Sequence, residues 1–167
     1  MLRFVPLALA AAALTACATV TAPEPIALRM ADGRQVGTVQ LREDRGGVTM
    51  RVNVSGLPAG THGLHIHAVG RCDPPGFTTA GPHWNPLGRQ HGTENPQGAH
   101  AGDLPNVLIS PSGLGSVEAR FDGWRIREGE RALIDADGAA VVLHAKADDY
   151  RTDPSGNSGD RIACAVL

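Results

Sequence analysis

The plainest periodicity in the chain is the run Val48, Met50, Val52 and Val54, with Thr49, Arg51 and Asn53 between them. A period of two places the apolar side chains on one face of an extended segment and the polar ones on the other, so the pattern predicts a half-buried strand. Short apolar runs on either side are separated by turn dipeptides at Asp32-Gly33, Gly46-Gly47, Ser112-Gly113 and Asp137-Gly138. The spacing predicts about eight short antiparallel strands and an all-β sandwich or flattened barrel. Two stretches break the rhythm, from Ala68 to Pro105 and from Ala145 to Asp160. A connection of that length inside a compact domain carries function more often than not.

Composition agrees with the pattern. The 167 residues suffice for one domain, and 21 glycines and 12 prolines against six Phe, Trp and Tyr residues favour tight turns over long helices. At the N-terminus, Met1-Leu2-Arg3 precedes an apolar run from Phe4 to Leu14 that is too short for a mature spanning helix and reads as an export signal over residues 1–16. That segment ends Leu14-Thr15-Ala16-Cys17, which resembles a bacterial lipobox. The lipidated form, with a mature chain beginning at Cys17, is preferred to an ordinary signal peptide with an incidental cysteine. Lipid would then provide the membrane association. Residues 17–25 comprise this cysteine and a proline-bearing tether, and residues 26–167 form the domain. Export to a periplasm makes the two remaining cysteines, Cys72 and Cys164, a disulfide candidate. The formal charge of −2 offers no basic footprint, which argues against nucleic acid as a partner.

The chemistry concentrates in the histidines. Six of the seven lie between His62 and His100, and the last, His144, ends an apolar run. In Leu64-His65-Ile66-His67 the alternation sends both imidazoles to the face opposite Leu64 and Ile66. Alone, such a pair is as readily two surface histidines as a metal site. His83, His91, His100 and Asp103, however, offer three imidazoles and a carboxylate, a complete tetrahedral set for structural zinc. His144 would complete a second, all-imidazole set with His65 and His67, suited to copper.

Taken together, Gly63-Leu64-His65-Ile66-His67, Ala80-Gly81-Pro82-His83-Trp84-Asn85-Pro86, His91-Gly92, His100-Ala101-Gly102-Asp103-Leu104, His144-Ala145-Lys146-Ala147-Asp148-Asp149 and Gly156-Asn157-Ser158-Gly159-Asp160-Arg161-Ile162-Ala163-Cys164 resemble, in order, the motifs of copper-zinc superoxide dismutases. The resemblance implies a Greek-key barrel and the conversion of superoxide to dioxygen and hydrogen peroxide by copper redox cycling. It further implies copper at His65, His67, His83 and His144, and zinc at His83, His91, His100 and Asp103, with His83 shared and acting as a proton donor. Asp148 would orient His65 and His91, Cys72 and Cys164 would pair, and Arg161 would draw in the anion, helped by Lys146, Arg71, Arg89 or Arg151. Asp160 departs from the family's small neutral residue and would weaken that field. His62 reads as a structural histidine bonded to backbone. A copper-storage protein on the same fold and a purely structural sandwich are the competing readings. Storage would need neither the shared histidine nor Arg161. The sequence leaves monomer and homodimer both open.

Overall fold

A computed structural model describes residues 24–167. The export segment and Cys17 lie outside the described residues. Nine strands form: β1 (Ile26–Met30), β2 (Gln35–Asp44), β3 (Gly47–Ser55), β4 (Gly60–His62), β5 (Leu64–His67), β6 (Val107–Ile109), β7 (Leu114–Asp122), β8 (Ala140–His144) and β9 (Arg161–Val166). Nine strands stand against the roughly eight expected, and Gly63 separates β4, which pairs with β6, from β5, which pairs with β8. The only helical element among the described residues is a 3₁₀ turn at Thr78–Ala80.

Seven strands make one curled antiparallel sheet in the order β5-β8-β9-β1-β2-β3-β7, and β4 and β6 make a small second one. β3 keeps its alternation: Val48, Met50, Val52 and Val54 are buried while Arg51 is exposed. These four pack with Leu28, Val39, Leu64, Ile66, Ile109, Leu133 and Leu143 in the main core.

β8 behaves differently, and the difference positions the site. All of Ala140–His144 is buried, because the strand is covered on both faces. Val141 and Leu143 enter the main core, whereas Ala140 and Val142 pack outside it against Phe77, Ala80 and Cys164. Register places His65 opposite Val142 and His67 opposite Ala140. The imidazoles of β5 therefore share the outer face of the barrel wall with the small cluster under the long loop. They are buried as completely as Leu64 and Ile66, since that loop closes over them.

A candidate metal centre

His65, His67, His83 and His144 each bring one ring nitrogen to a common point, all within 4.8 Å of one another. β5 supplies the first two, and the irregularity between Leu143 and His144 turns the last inward, with the His144 N–H bonded to Gly63 O. His83 arrives from the loop, paired as an isolated bridge with His67. Three of the rings spend their other nitrogen on a fixed acceptor. His65 Nε2 lies 2.8 Å from Asp148 Oδ2, His67 Nδ1 lies 2.8 Å from Gly81 O, and His144 Nδ1 lies 3.1 Å from Gly159 O. That leaves His65 Nδ1, His67 Nε2, His83 Nε2 and His144 Nε2 buried without a partner. Buried polar atoms are almost always satisfied, so four orphans facing one another fit a cation. Burial keeps three of these rings, His67, His83 and His144, neutral, as metal ligands must be: it lowers them to about 2, 4 and 3.

The other nitrogen of His83 belongs to a second set. Its Nδ1 lies 3.0 Å from Asp103 Oδ1, as does His91 Nδ1, and His100 Nδ1 lies 3.3 Å from the same oxygen and 3.4 Å from His83 Nδ1. Tetrahedral bonds of about 2.0–2.1 Å separate ligand atoms by about 3.3–3.4 Å, so this spacing suits zinc. The grouping around Asp103 whose ligand atoms all lie within 4.8 Å of one another has His65 in place of His100. His65, however, has one nitrogen on Asp148 and the other in the imidazole set, whereas His100 Nδ1 faces both Asp103 Oδ1 and His83 Nδ1. Asp103 Oδ2 is held by the N–H groups of Gly92 and His100, which leaves Oδ1 to face the histidines.

Between the two sets stands Asp148, bonded through Oδ2 to His65 and through Oδ1 to His91 Nε2 at 3.0 Å. The Tyr150 N–H fixes the carboxylate at 2.7 Å. Without a cation the charges settle among themselves. Burial disfavours ionised His91, but Asp103 and Asp148 outweigh it and push the ring up to about 9. Burial likewise opposes ionisation of Asp103 and Asp148, yet their histidine partners hold both well below the usual carboxylate range.

Cys72 and Cys164 form a disulfide with Cα atoms 5.7 Å apart, stitching the long loop to β9. Arg161, at the start of β9, donates Nη1 to Phe77 O and Nη2 to Gly81 O, both at 2.8 Å. The other basic residues differ in freedom. Arg71 pairs with Asp73 and Arg151 with Glu94, while Arg89 donates to Gly98 O. Lys146 has no ion pair among the described residues, and Asp160 is exposed beside Arg161. His62 Nδ1 lies 2.9 Å from His144 O, a bond to the backbone at the end of β8.

Gly156 opens one of the family-like motifs, but sequence reasoning gave it no role of its own. Its φ is +61°, and a Cβ there would collide with the Asp148 carboxylate and come within 2.6 Å of His91 Nε2.

Comparison with known proteins agrees with this arrangement. The family model described as copper/zinc superoxide dismutase matches residues 35–167. Copper-zinc superoxide dismutase 2 of Aquifex aeolicus is 41% identical, covering 81% of each chain. A superoxide dismutase-like protein from Bacillus subtilis has a solved structure that superposes with a TM-score of 0.80 at 36% identity, over 88% of this chain and 100% of that one. The copper/zinc superoxide dismutase of Brucella abortus gives 0.65 at 27% identity, over 86% and 98%.

Proposed function

The chain belongs to the copper/zinc superoxide dismutase family, and on that premise we propose that His65, His67, His83 and His144 hold the copper while His83, His91, His100 and Asp103 hold the zinc. The protein is an oxidoreductase that converts superoxide to dioxygen and hydrogen peroxide, with copper and zinc as cofactors. Bound copper supplies the one-electron exchange, a role closed to zinc, which has no accessible redox change.

What the chain adds is order and charge. Asp148, Gly81 O and Gly159 O fix three rings with the correct nitrogen presented, the work expected of groups behind the ligands. His83 alone has one nitrogen in each set, so its Nε2 is the atom at which the chain can hold or release a proton at the reacting centre. Arg161, with Nη1 and Nη2 on loop carbonyls, supplies a fixed positive charge for a small anion. Electrostatic steering of the substrate is a known property of superoxide dismutases, and the role of Arg161 is carried over on that ground.

The observation that carries the assignment is the set of four inward nitrogens without partners. Metal analysis paired with superoxide decay, before and after copper addition, tests it. The expected result is one copper and one zinc per chain, with activity following copper. A chain that retains neither metal, or dismutes superoxide equally well without copper, overturns it.

Residues 1–16 as a signal, lipid at Cys17, a tether to residue 25 and a periplasmic location complete the proposal. The lipobox-like Leu14-Thr15-Ala16-Cys17 supports the anchor, and the disulfide suits an oxidising compartment. Mass spectrometry of the N-terminus from membrane and soluble fractions tests the anchor. We include a homodimer in this reading.

A further inference from the structure

β7 ends the seven-stranded sheet, and its far edge is open. At the position just beyond the β3–β7 ladder, the Gly123 N–H bonds to Gly46 O at 2.8 Å. Hydrogen-bonded positions alternate along an antiparallel pair. Phe121, Ala119 and Val117 therefore bond inward to β3, and Ser116, Glu118, Arg120 and Asp122 point their backbone N–H and C=O groups away from the sheet. At Leu114 the same outward series is capped, since Leu114 O accepts from the Ser110 N–H. Beyond it, from Ser116 to Asp122, no backbone partner faces these groups among the described residues. β6 does not cover them, because it crosses beneath β7, with Leu108 O 2.8 Å from the Cβ position of Gly115.

Open edges in monomeric proteins are usually blunted by charge. The charges on this edge have a further property: they match themselves. When two β7 strands run antiparallel with Ala119 facing Ala119, Glu118 of each copy meets Arg120 of the other, and Ser116 meets Asp122. Shifting the axis to Glu118 sets that carboxylate against its own copy. Shifting it to Arg120 sets two guanidiniums together and Glu118 against Asp122. An axis at Phe121 also sets Arg120 against Asp122 but carries Glu118 past the strand to Trp124; with like charges directly opposite unfavourable and opposite ones favourable, the Ala119 register matches the most side chains. That register also joins residues whose backbone groups point outward, giving two hydrogen bonds at each facing pair.

The side chains have capacity left. Arg120 has four N–H groups engaged with Asp44, Thr49 and Asp122, and a guanidinium has five. Glu118 accepts from Arg51 through Oε2, and Oε1 is free of protein partners among the described residues. Apolar surface lies at the end of the same strand: Leu114 is 59% exposed and Leu108 70%. In the selected register Leu114 arrives beside the Gly123–Trp124 turn of the second copy.

We propose that β7 is the surface through which the protein pairs with a second copy of itself, edge to edge about Ala119, extending the sheet across both barrels. This deepens the homodimer reading above and rests on it. The metal sites lie on the β5–β8 side of the sheet, at the opposite end of the strand order, so both remain open to substrate.

Sedimentation of the metal-loaded protein tests it. Wild type is expected to sediment as a dimer, and E118R and R120E each as monomers, because each sets like charges opposite one another. The double variant E118R/R120E restores the match and is expected to return to dimer. Glu118→Pro removes an N–H that β3 does not use, so the domain is expected to stay folded with full zinc content and become monomeric. A monomeric wild type overturns self-association altogether. A dimer that survives the single reversals and Glu118→Pro overturns this edge but not the dimer. A folded, zinc-loaded double variant that stays monomeric overturns the register.

Discussion

His67 and Arg161 are tied through one atom: the carbonyl oxygen of Gly81 accepts from His67 Nδ1 and from Arg161 Nη2, each at 2.8 Å. The proposed anion-drawing charge and one proposed copper ligand thus share a single backbone group. Replacing Arg161 by Ala removes the charge and two bonds to the loop. Catalytic efficiency is expected to fall about tenfold or more and to lose most of its salt dependence, with both metals retained. Stopped-flow superoxide decay across ionic strength checks this. Unchanged efficiency refutes the steering role.

Substitution of His144 by Ala removes one imidazole from the proposed copper set and none from the zinc set. Copper content and activity are expected to be lost while zinc stays near one per chain, as read by elemental analysis. Retention of copper with full activity would show the assignment to be wrong.

Gly156→Ala pushes a methyl group into the Asp148 carboxylate and the His91 ring. The carboxylate cannot then hold both histidines, and groups of this kind affect metal affinity by about 10–100-fold. Zinc affinity is expected to fall by that order in a chelator competition, with β-sheet circular dichroism unchanged. Equal affinity in the two proteins would show that Asp148 does not orient His91.

The metal-free protein is expected to be most stable near pH 6.5. Burial lowers His67, His83 and His144 to about 2, 4 and 3, so below their ordinary 6.5 the unfolded chain binds protons that the folded chain refuses. Stability therefore falls as pH drops. His91, raised to about 9, contributes fully below 6.5, and its contribution is lost as pH climbs through 9. Urea midpoints of the stripped protein check this. Zinc takes the place of the His91 proton and is expected to abolish the alkaline decline. A midpoint that rises steadily through pH 9 without metal sinks the idea.

Alternation along Leu64-His65-Ile66-His67 was enough to separate core from ligand face, because a strand's period of two needs no tertiary knowledge. The residues proposed as ligands could be named from residue type and order in the same way. Which nitrogen each ring presents was not legible, since that depends on Gly81 O, Gly159 O and Asp148, set by the path of two loops. The role of Gly156 was hidden for the same cause. Nor could apolar runs alone show that Gly63 divides β4 from β5, because strand partners, not hydrophobicity, decide that break.

β5 and β8 are read from both sides, with Leu64, Ile66, Val141 and Leu143 turned one way and His65 and His67 the other. A slip of one residue in β5 would exchange the two rows at a stroke, sinking imidazoles into oil and laying leucine and isoleucine where the proposed metals would sit. Register and the aim of the imidazoles are therefore set together, by the same pairing of β5 with β8.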